Sequence, residues 1–211
     1  ISGLTNNDEY FYRVTAVDTA DNESGYSDGI SVVPYSPVNS HSLSFDGVDD
    51  YVDIGSDIAL SSSSFSIQLW AKYDTTQGQT SAVLVGVGSP NTNQGFHFGF
   101  DDTTSFFAAF YSNDLRADIT GRATDWNHWA MTYDTETNTR ILYQNGQVLG
   151  QDTATNDFQG SGNIYIGANG WFDDYFDGEI DAVSIWYRSL SQAEIQSNMN
   201  TVLDPSQETG L

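Results

Sequence analysis

Between residues 42 and 187 the sequence consists of short stretches in which apolar and polar side chains alternate. Residues 139–144 show the pattern and run into Asn145-Gly146, the pair most typical of a two-residue hairpin turn. Alternation with a period of two predicts half-buried β-strands. About a dozen such strands, separated by turns, predict an all-β fold, a two-sheet antiparallel jelly-roll sandwich. We expect its core to include Phe45, Ile67, Leu69, Ile141 and Ile185.

One short C-terminal helix is the exception to this pattern. Ser191 and Glu194 have the spacing of a capping box, in which each side chain accepts a hydrogen bond from the backbone of the other residue. This signal predicts a helix over residues 193–199.

Composition and pattern divide the chain into segments. Residues 42–199 hold the strand-rich block, with 35–41 predicted as the linker before it and 200–211 as a polar linker after it. Residues 1–34 carry two further strand signals. The alternation around Tyr10 resembles the last strands of a fibronectin type III domain, in which Tyr10 would be the corner tyrosine. Only the final third of such a domain is matched. Two interpretations stay open: a truncated remnant, or a hairpin that docks on its neighbour or on another chain.

Two matching stretches bracket the strand-rich block. Residues 45–52 and 176–183 both begin Phe-Asp-Gly, continue with a further carboxylate and then alternate as strands. If the two strands pair, their carboxylates come together and repel one another unless a cation lies between them. Turn formation alone also accounts for Asp-Gly pairs. We expect a structural calcium site, with Asp46, Asp49 and Asp181 as ligands and Asp50 and Asp177 in reserve.

The chain is strongly acidic, with 29 aspartates and glutamates against 6 lysines and arginines and a formal charge of −23. Nucleic acids and anionic membrane surfaces are not expected as partners, because so few basic residues cannot form a positive patch. No apolar run has the length of a membrane span, so membrane insertion is not expected either. The chain contains no cysteine, so its stability must come from its core, alone or together with bound metal, and not from disulfides.

A loop rich in aromatic and acidic residues, 169–175, precedes the last strand. Aromatic rings stack on the apolar faces of sugars, and carboxylates accept hydrogen bonds from hydroxyl groups, so the loop is a candidate carbohydrate site. The alternative is that Trp171 or Phe172 caps the core. A second acidic loop could share this end of the fold. The candidate ligand-binding residues are Trp171, Phe172, Asp173, Asp174, Tyr175, Asp101 and Asp102.

The histidines do not indicate a zinc site. Strand alternation places His128 on the face opposite Trp129, and we expect it to be a hydrogen-bonded structural histidine. His41 and His97 are isolated in the sequence.

Several motifs, taken in order, resemble the laminin-G-like jelly roll of the concanavalin A-like superfamily over residues 42–199. The resemblance implies two curved sheets, a calcium ion where the first and last strands meet, and binding of glycans or proteins at cell surfaces or beside polysaccharide-degrading enzymes. Residues 207–211 resemble the lead-in to another copy of the domain. The chain is therefore expected to be part of a longer secreted protein with neighbouring modules. The motifs lie at residues 43–52, 65–70, 126–130, 143–146, 176–181 and 190–195.

Residues 179–181, Glu-Ile-Asp, also resemble the opening of the catalytic motif of laminarinase-type enzymes, which share a related sandwich. A retaining glycosidase needs a second carboxylate about 5 Å from the first. The next residues are Ala182, Val183, Ser184 and Ile185, so hydrolysis is not expected.

We therefore expect a secreted or cell-surface module that is stabilised by calcium and binds carbohydrate without catalysis. The second hypothesis is a structural spacer or a protein–protein interaction module of a surface protein, and the third and weakest is a glycoside hydrolase. An aromatic-lined groove would favour the first, a polar surface with buried aromatics the second, and two facing carboxylates in a cleft the third.

Overall fold

The computed structural model describes residues 10–13, 15, 17, 19, 21–32, 42–74, 81–101, 103–120, 123–201, 203–206 and 208–211. The chain forms two compact units, Ile1–Ser40 and His41–Leu211. In the smaller unit, β1 (Tyr10–Tyr12) pairs antiparallel with β2 (Ile30–Val32). The resemblance to a fibronectin type III domain stays a prediction, because much of residues 1–34, like the expected linker 35–41, lies outside the described residues.

In its described residues the larger unit contains twelve strands and one helix. The strands are β3 (Leu43–Asp46), β4 (Val52–Asp53), β5 (Phe65–Tyr73), β6 (Ala82–Gly88), β7 (Gly95–Phe100), β8 (Ser105–Ala109), β9 (Asp114–Asp118), β10 (Asn127–Asp134), β11 (Thr139–Gln144), β12 (Gln147–Thr153), β13 (Ile164–Ile166) and β14 (Asp177–Trp186). The helix is α1 (Gln192–Asn198).

These strands form two six-stranded sheets in which neighbouring strands are antiparallel. The first sheet has the strand order β12-β11-β10-β5-β14-β3, and the second sheet has the order β4-β13-β6-β7-β8-β9. The two Phe-Asp-Gly stretches do pair, because β3 lies beside β14 with Asp46 opposite Asp177. The predicted all-β fold, a two-sheet antiparallel sandwich with one short helix, is confirmed.

The core lies between the sheets, because alternate residues of each strand point towards the other sheet. Leu69 of β5 and Trp129 of β10 are fully buried from one side, and Phe98 of β7 and Phe106 of β8 from the other. The rings of Phe106 and Trp129 stack with their centroids 4.3 Å apart. Burial of one such side chain stabilises the fold by roughly 1.5–3 kcal/mol.

Four of the five expected core residues are buried, and Ile141 is the exception. In β11 it is Leu142 that belongs to the core, while Arg140 lies over the core ring of Phe110. Ile141 is therefore on the opposite side of the strand and packs, half-buried, against the cluster beneath the helix. The expectation for Ile141 was wrong because consecutive residues of a strand face opposite sides. An assignment of the core-facing residues that is off by one position therefore places Ile141 inside and Leu142 outside.

Helix α1 covers the outer face of the first sheet. The predicted capping box is present: the backbone N–H of Ser191 donates to Glu194 Oε2 at 2.7 Å, and the N–H of Glu194 donates to Ser191 Oγ at 3.3 Å. Ile195 is buried against Trp186 and Tyr143. Among the described residues, no helix is long and apolar enough to cross a bilayer.

The described residues of the tail, predicted as a linker, fold back onto the same cluster. Leu203 and Leu211 pack against it, and the N–H of Tyr187 donates to the carbonyl of Gly210 at 2.7 Å. Two leucines are enough to hold the tail here, because they cover apolar surface that would otherwise meet water.

Candidate functional site

The outer face of the second sheet carries small residues along β7. Phe96, Phe98 and Phe100 point into the core, so Gly95, His97 and Gly99 point outward. Across the strands, the outward row that contains His97 runs from Gly86 in β6 to Ala109 in β8 and Asp114 in β9. Small residues on either side leave the imidazole as the main side chain of this row, and Asn169 and Trp171 lie directly over Gly86 and Gly95.

The loop of residues 168–175 crosses this face above Gly86. A Cβ atom on Gly86 would lie 2.5 Å from the Cα atom of Asn169, so only glycine permits this approach. Asn169 is fully buried and holds the loop: its Nδ2 donates to Asp173 and, at 3.2 Å, to Asp174 Oδ2, and its Oδ1 accepts from the N–H of Asp173 at 3.2 Å. The loop is thus fixed to the sheet through backbone contact and one amide side chain.

On one side of this loop lies the Trp171 cluster, formed by Trp171, His97 and Tyr111. The ring centroid of Trp171 is 5.1 Å from that of His97 and 5.6 Å from that of Tyr111, and both contacts are edge-on. The indole also rests on Gly95, where a Cβ atom would come within 2.8 Å of the ring. All three side chains are half-buried, and they pack on the outside of the sheet instead of in the core between the sheets.

On the other side lies the Phe172 cluster, formed by Phe172, Tyr51, Tyr165 and Tyr175. The centroid of Phe172 is 4.9 Å from those of both Tyr51 and Tyr165, and 6.3 Å from that of Tyr175. Phe172 has φ = 62°, a left-handed conformation that is strained for an aromatic residue. Phe172 is 37% exposed and Tyr51 is 45% exposed. The consecutive loop residues Trp171 and Phe172 therefore belong to two separate aromatic clusters, one over β7 and one over β13.

Three carboxylates and one guanidinium surround the Trp171 cluster. Arg116 lies over the ring of Phe107 and makes ion pairs with Asp101 and, at 3.0 Å, with Asp114. Asp173, in the loop itself, is exposed. Burial lowers the pKa of His97 to about 4, although Asp114, Asp173 and Asp101 each act to raise it. Asp102 lies outside the described residues.

The Asp174 side chain supports the loop from below. It is half-buried and accepts a hydrogen bond from Asn169. Burial, followed by the neighbouring charge of Asp173, raises the pKa of Asp174 above its usual range. Asp174 therefore belongs to the framework of the loop more than to its exposed surface.

The acidic loop after β3 brings together three of the five residues expected to bind calcium. Asp46, Asp49 and Asp50 are exposed, and one carboxylate oxygen from each lies within 4.8 Å of the others. Oxygen ligands sit 2.3–2.6 Å from Ca²⁺, so two oxygens on one ion are at most about 5 Å apart. The spacing and hardness of these three donors fit a calcium ion, which would take its remaining oxygen ligands from backbone carbonyls or water.

The structure does not bring Asp181 to this group. Asp177 pairs with Asp46, but Asp181 lies four residues further along β14, where it pairs with Trp70 of β5. Four residues of strand span about 13 Å. Asp181 Oδ1 instead accepts a hydrogen bond from the N–H of Ala182 at 2.7 Å. Asp177 is the nearer of the two, although its residue is largely buried.

Several residues of this face were not identified from the sequence: His97, Tyr111, Asp114, Arg116, Tyr51 and Tyr165. The alternation of glycine, histidine and glycine with three phenylalanines in residues 95–100 was a usable signal, because it shows which side of β7 faces outward. For the others the sequence contains no local signal, since they meet only through the strand order of the sheet.

Two-sheet jelly rolls of this kind occur in viral capsid proteins and in lectin domains. The sequence matches the concanavalin A-like lectin/glucanases superfamily over residues 46–196, and the chain belongs to this family. No curated protein matches the chain by sequence.

Solved structures with the same fold include three that illustrate its range. The CBM40 of the Ruminococcus gnavus IT-sialidase, bound to α2,3 sialyllactose, is 17% identical with a TM-score of 0.55, and the match covers 75% of this chain and 98% of that one. Domain 4 of AbnA, a GH43 extracellular arabinanase from Geobacillus stearothermophilus in complex with arabinotriose, is 20% identical with a TM-score of 0.58, covering 88% and 87%. A candidate carbohydrate-binding protein from Bacteroides ovatus is 15% identical with a TM-score of 0.63, covering 98% of this chain and 60% of that one. At these identities the likeness concerns the fold alone.

Proposed function

We propose that this chain is a non-catalytic carbohydrate-binding module whose ligand lies on the outer face of the second sheet. The observation that carries the proposal is the Trp171 cluster, three half-buried aromatic side chains on a glycine-lined face with carboxylates around them. Structurally similar modules were solved in complex with arabinotriose and sialyllactose, which supports carbohydrate as the class of ligand. Because polymeric carbohydrates are largely outside cells, we also propose that the parent protein is secreted or displayed at the cell surface.

The chemistry of the cluster suits a sugar. Aromatic rings remove the C–H faces of a pyranose or furanose ring from water, which favours association without requiring charge. Asp173 and Asp114 are exposed and can accept hydrogen bonds from sugar hydroxyl groups. The anchored loop provides a rigid support, so little conformational entropy is lost on binding.

Trp171→Ala is expected to weaken glycan binding at least tenfold, which corresponds to about 1.4 kcal/mol. The measurement is retention on a glycan array, followed by calorimetry with a retained oligosaccharide. Tyr187→Ala is the matched control, because Tyr187 is an exposed aromatic residue that extends from the first sheet, and this variant should bind as the parent does.

Melting curves of the same variants separate binding from folding. Loss of an aromatic residue from a core costs about 3–5 kcal/mol, and the half-buried Trp171 should cost clearly less. If Trp171→Ala folds normally and keeps full glycan affinity, the Trp171 cluster is not the binding site.

We further propose that Asp46, Asp49 and Asp50 hold a structural calcium ion. A ligand present at a hundred times its Kd stabilises the folded state by roughly 2.7 kcal/mol, so removal of calcium by EGTA should lower the melting temperature. The response should weaken in acid, because the ligands must be ionised.

Variants at two positions test whether calcium binds at Asp46, Asp49 and Asp50 and not elsewhere on the acidic surface. Asp49→Asn should abolish the response to EGTA, whereas Asp181→Asn should leave it intact because Asp181 lies about 13 Å away along β14. An identical melting curve with and without EGTA in the parent protein would rule out the calcium site.

The alternative function, a spacer or protein-binding module, draws its support from the Phe172 cluster, which exposes aromatic surface beside the acidic loop. Exposed apolar patches of this kind also occur at protein contacts. An array that retains no glycan in the presence of calcium would favour this alternative.

A further inference from the structure

The charge around the Trp171 cluster is unbalanced. Asp101, Asp114 and Asp173 bring three negative charges, and Arg116 brings one positive charge that is already engaged by Asp101 and Asp114. A carboxylate or sulfate of a ligand would therefore meet a guanidinium whose charge is already offset by two carboxylates, with an excess of two negative charges nearby. Its approach would cost free energy because like charges repel, and this cost is largest at low salt, where screening is weakest.

No other described basic side chain of the larger unit compensates for this excess. Lys72 pairs with Glu179 in the first sheet, Arg188 pairs with Glu194 of α1, and Arg140 is buried and pairs with Asp152. Arg122 lies outside the described residues. The imidazole of His97 is neutral at ordinary pH, since burial lowers its pKa to about 4.

Resting on the proposed function, we propose that this face takes uncharged glycans and excludes those that carry carboxylates or sulfates, such as sialylated, uronic-acid and sulfated sugars. Neutral hydroxyl groups can donate hydrogen bonds to Asp114 and Asp173, whereas a carboxylate or sulfate has no proton to donate to them and is repelled by their charges. Selection by repulsion requires no added contact with the correct ligand, only an unfavourable one with the wrong ligand.

The test uses pairs of ligands that differ mainly in charge, measured both with calcium and in EGTA, because free calcium can bridge carboxylates whereas EGTA also removes the proposed structural ion. One pair is methyl-esterified homogalacturonan and de-esterified polygalacturonate, and the second is lactose and sialyllactose; arabinan, galactan, xylan and mannan complete the neutral panel. Every glycan that the parent protein retains at low salt should be uncharged. The acidic member of a pair should bind at least tenfold more weakly than its neutral partner.

Charge variants and added salt show whether electrostatic repulsion causes the weaker binding of acidic glycans. Asp114→Asn and Asp173→Asn should each narrow the ratio of neutral to acidic binding severalfold, while Asp57→Asn, the same change at an exposed aspartate outside this face, should not. In 1 M NaCl, where the screening length is about 3 Å, the ratio should also narrow. A ratio that is unchanged by both salt and the two variants would show that exclusion is steric and would overturn the electrostatic inference.

The outcomes separate the two proposals. If an acidic glycan binds as well as its neutral counterpart and Trp171→Ala abolishes that binding, the inference about charge fails while the carbohydrate-binding function stands. If no member of the panel is retained and Trp171→Ala changes nothing, the proposed function fails and the inference fails with it.

Discussion

Replacing Arg140 with methionine is expected to lower the free energy of unfolding by about 3 kcal/mol, because this removes one partner from a buried charged network. Arg140 is 1% exposed. Its Nε and Nη2 donate to the two carboxylate oxygens of Asp152 at 2.9 and 2.5 Å, and its Nη1 donates to the carbonyl of Asn113 at 2.5 Å. The guanidinium also lies 4.8 Å from the ring centroid of Phe110. Methionine fills much of the volume but leaves the carbonyl of Asn113 without its donor.

The same substitution at Arg116 is the matched control. Arg116 also pairs with two carboxylates, but its side chain is 50% exposed, and exposed ion pairs contribute about 0–1 kcal/mol. Urea unfolding monitored by tryptophan fluorescence measures both variants. Arg140→Lys should fall between the parent and Arg140→Met, because lysine keeps the charge but not the forked geometry. Similar small losses for Arg140→Met and Arg116→Met would show that the buried network contributes little.

The protein is expected to lose roughly 2.5 kcal/mol of stability per buried histidine between pH 6.5 and pH 4.5. Burial lowers the pKa of His128 to about 3 and the pKa of His97 to about 4. In the unfolded chain both histidines have ordinary pKa values near 6.5, so in this window the unfolded state binds more protons than the folded state. The stability is therefore fully present above pH 6.5 and declines as the pH falls.

His128 is the better test position, because it is 1% exposed and lies outside the proposed binding face, in edge-on contact with Trp70. Protonation of the many carboxylates also changes stability over this range, so the comparison must be between parent and variant. His128→Gln should have a shallower dependence of unfolding free energy on pH. Between pH 6 and 4.5, unfolding of this variant should take up close to one proton fewer than unfolding of the parent protein. Parallel curves for the two proteins would contradict the assignment.

The elements themselves were predictable from neighbouring residues. The bounds of β11 are those expected from alternation, and the capping box of Ser191 and Glu194 begins α1 as expected. The group of Asp46, Asp49 and Asp50 is also local, since a single turn brings its members together. Patterns of this kind are determined by the conformation of a few consecutive residues, and the sequence displays them directly.

Strand pairing was predictable only in part. The repeated Phe-Asp-Gly stretches predicted that β3 and β14 meet, but not that Asp177 instead of Asp181 would face Asp46. The alternation of β11 was visible, yet the choice between its two faces depended on the core. That choice places Leu142 inside and Ile141 outside, with Arg140 buried at the margin.

The proposed binding face is the part that only the tertiary structure determined. Trp171, His97 and Tyr111 are far apart in the sequence, and they meet because β13, β6, β7 and β8 are neighbours in the second sheet and because Gly86 lets the loop approach. The sequence by itself determined which residues alternate, turn and cap, because these are local conformational preferences. Which side chains share a surface depends on strand order and register, and these follow from packing the whole core at once.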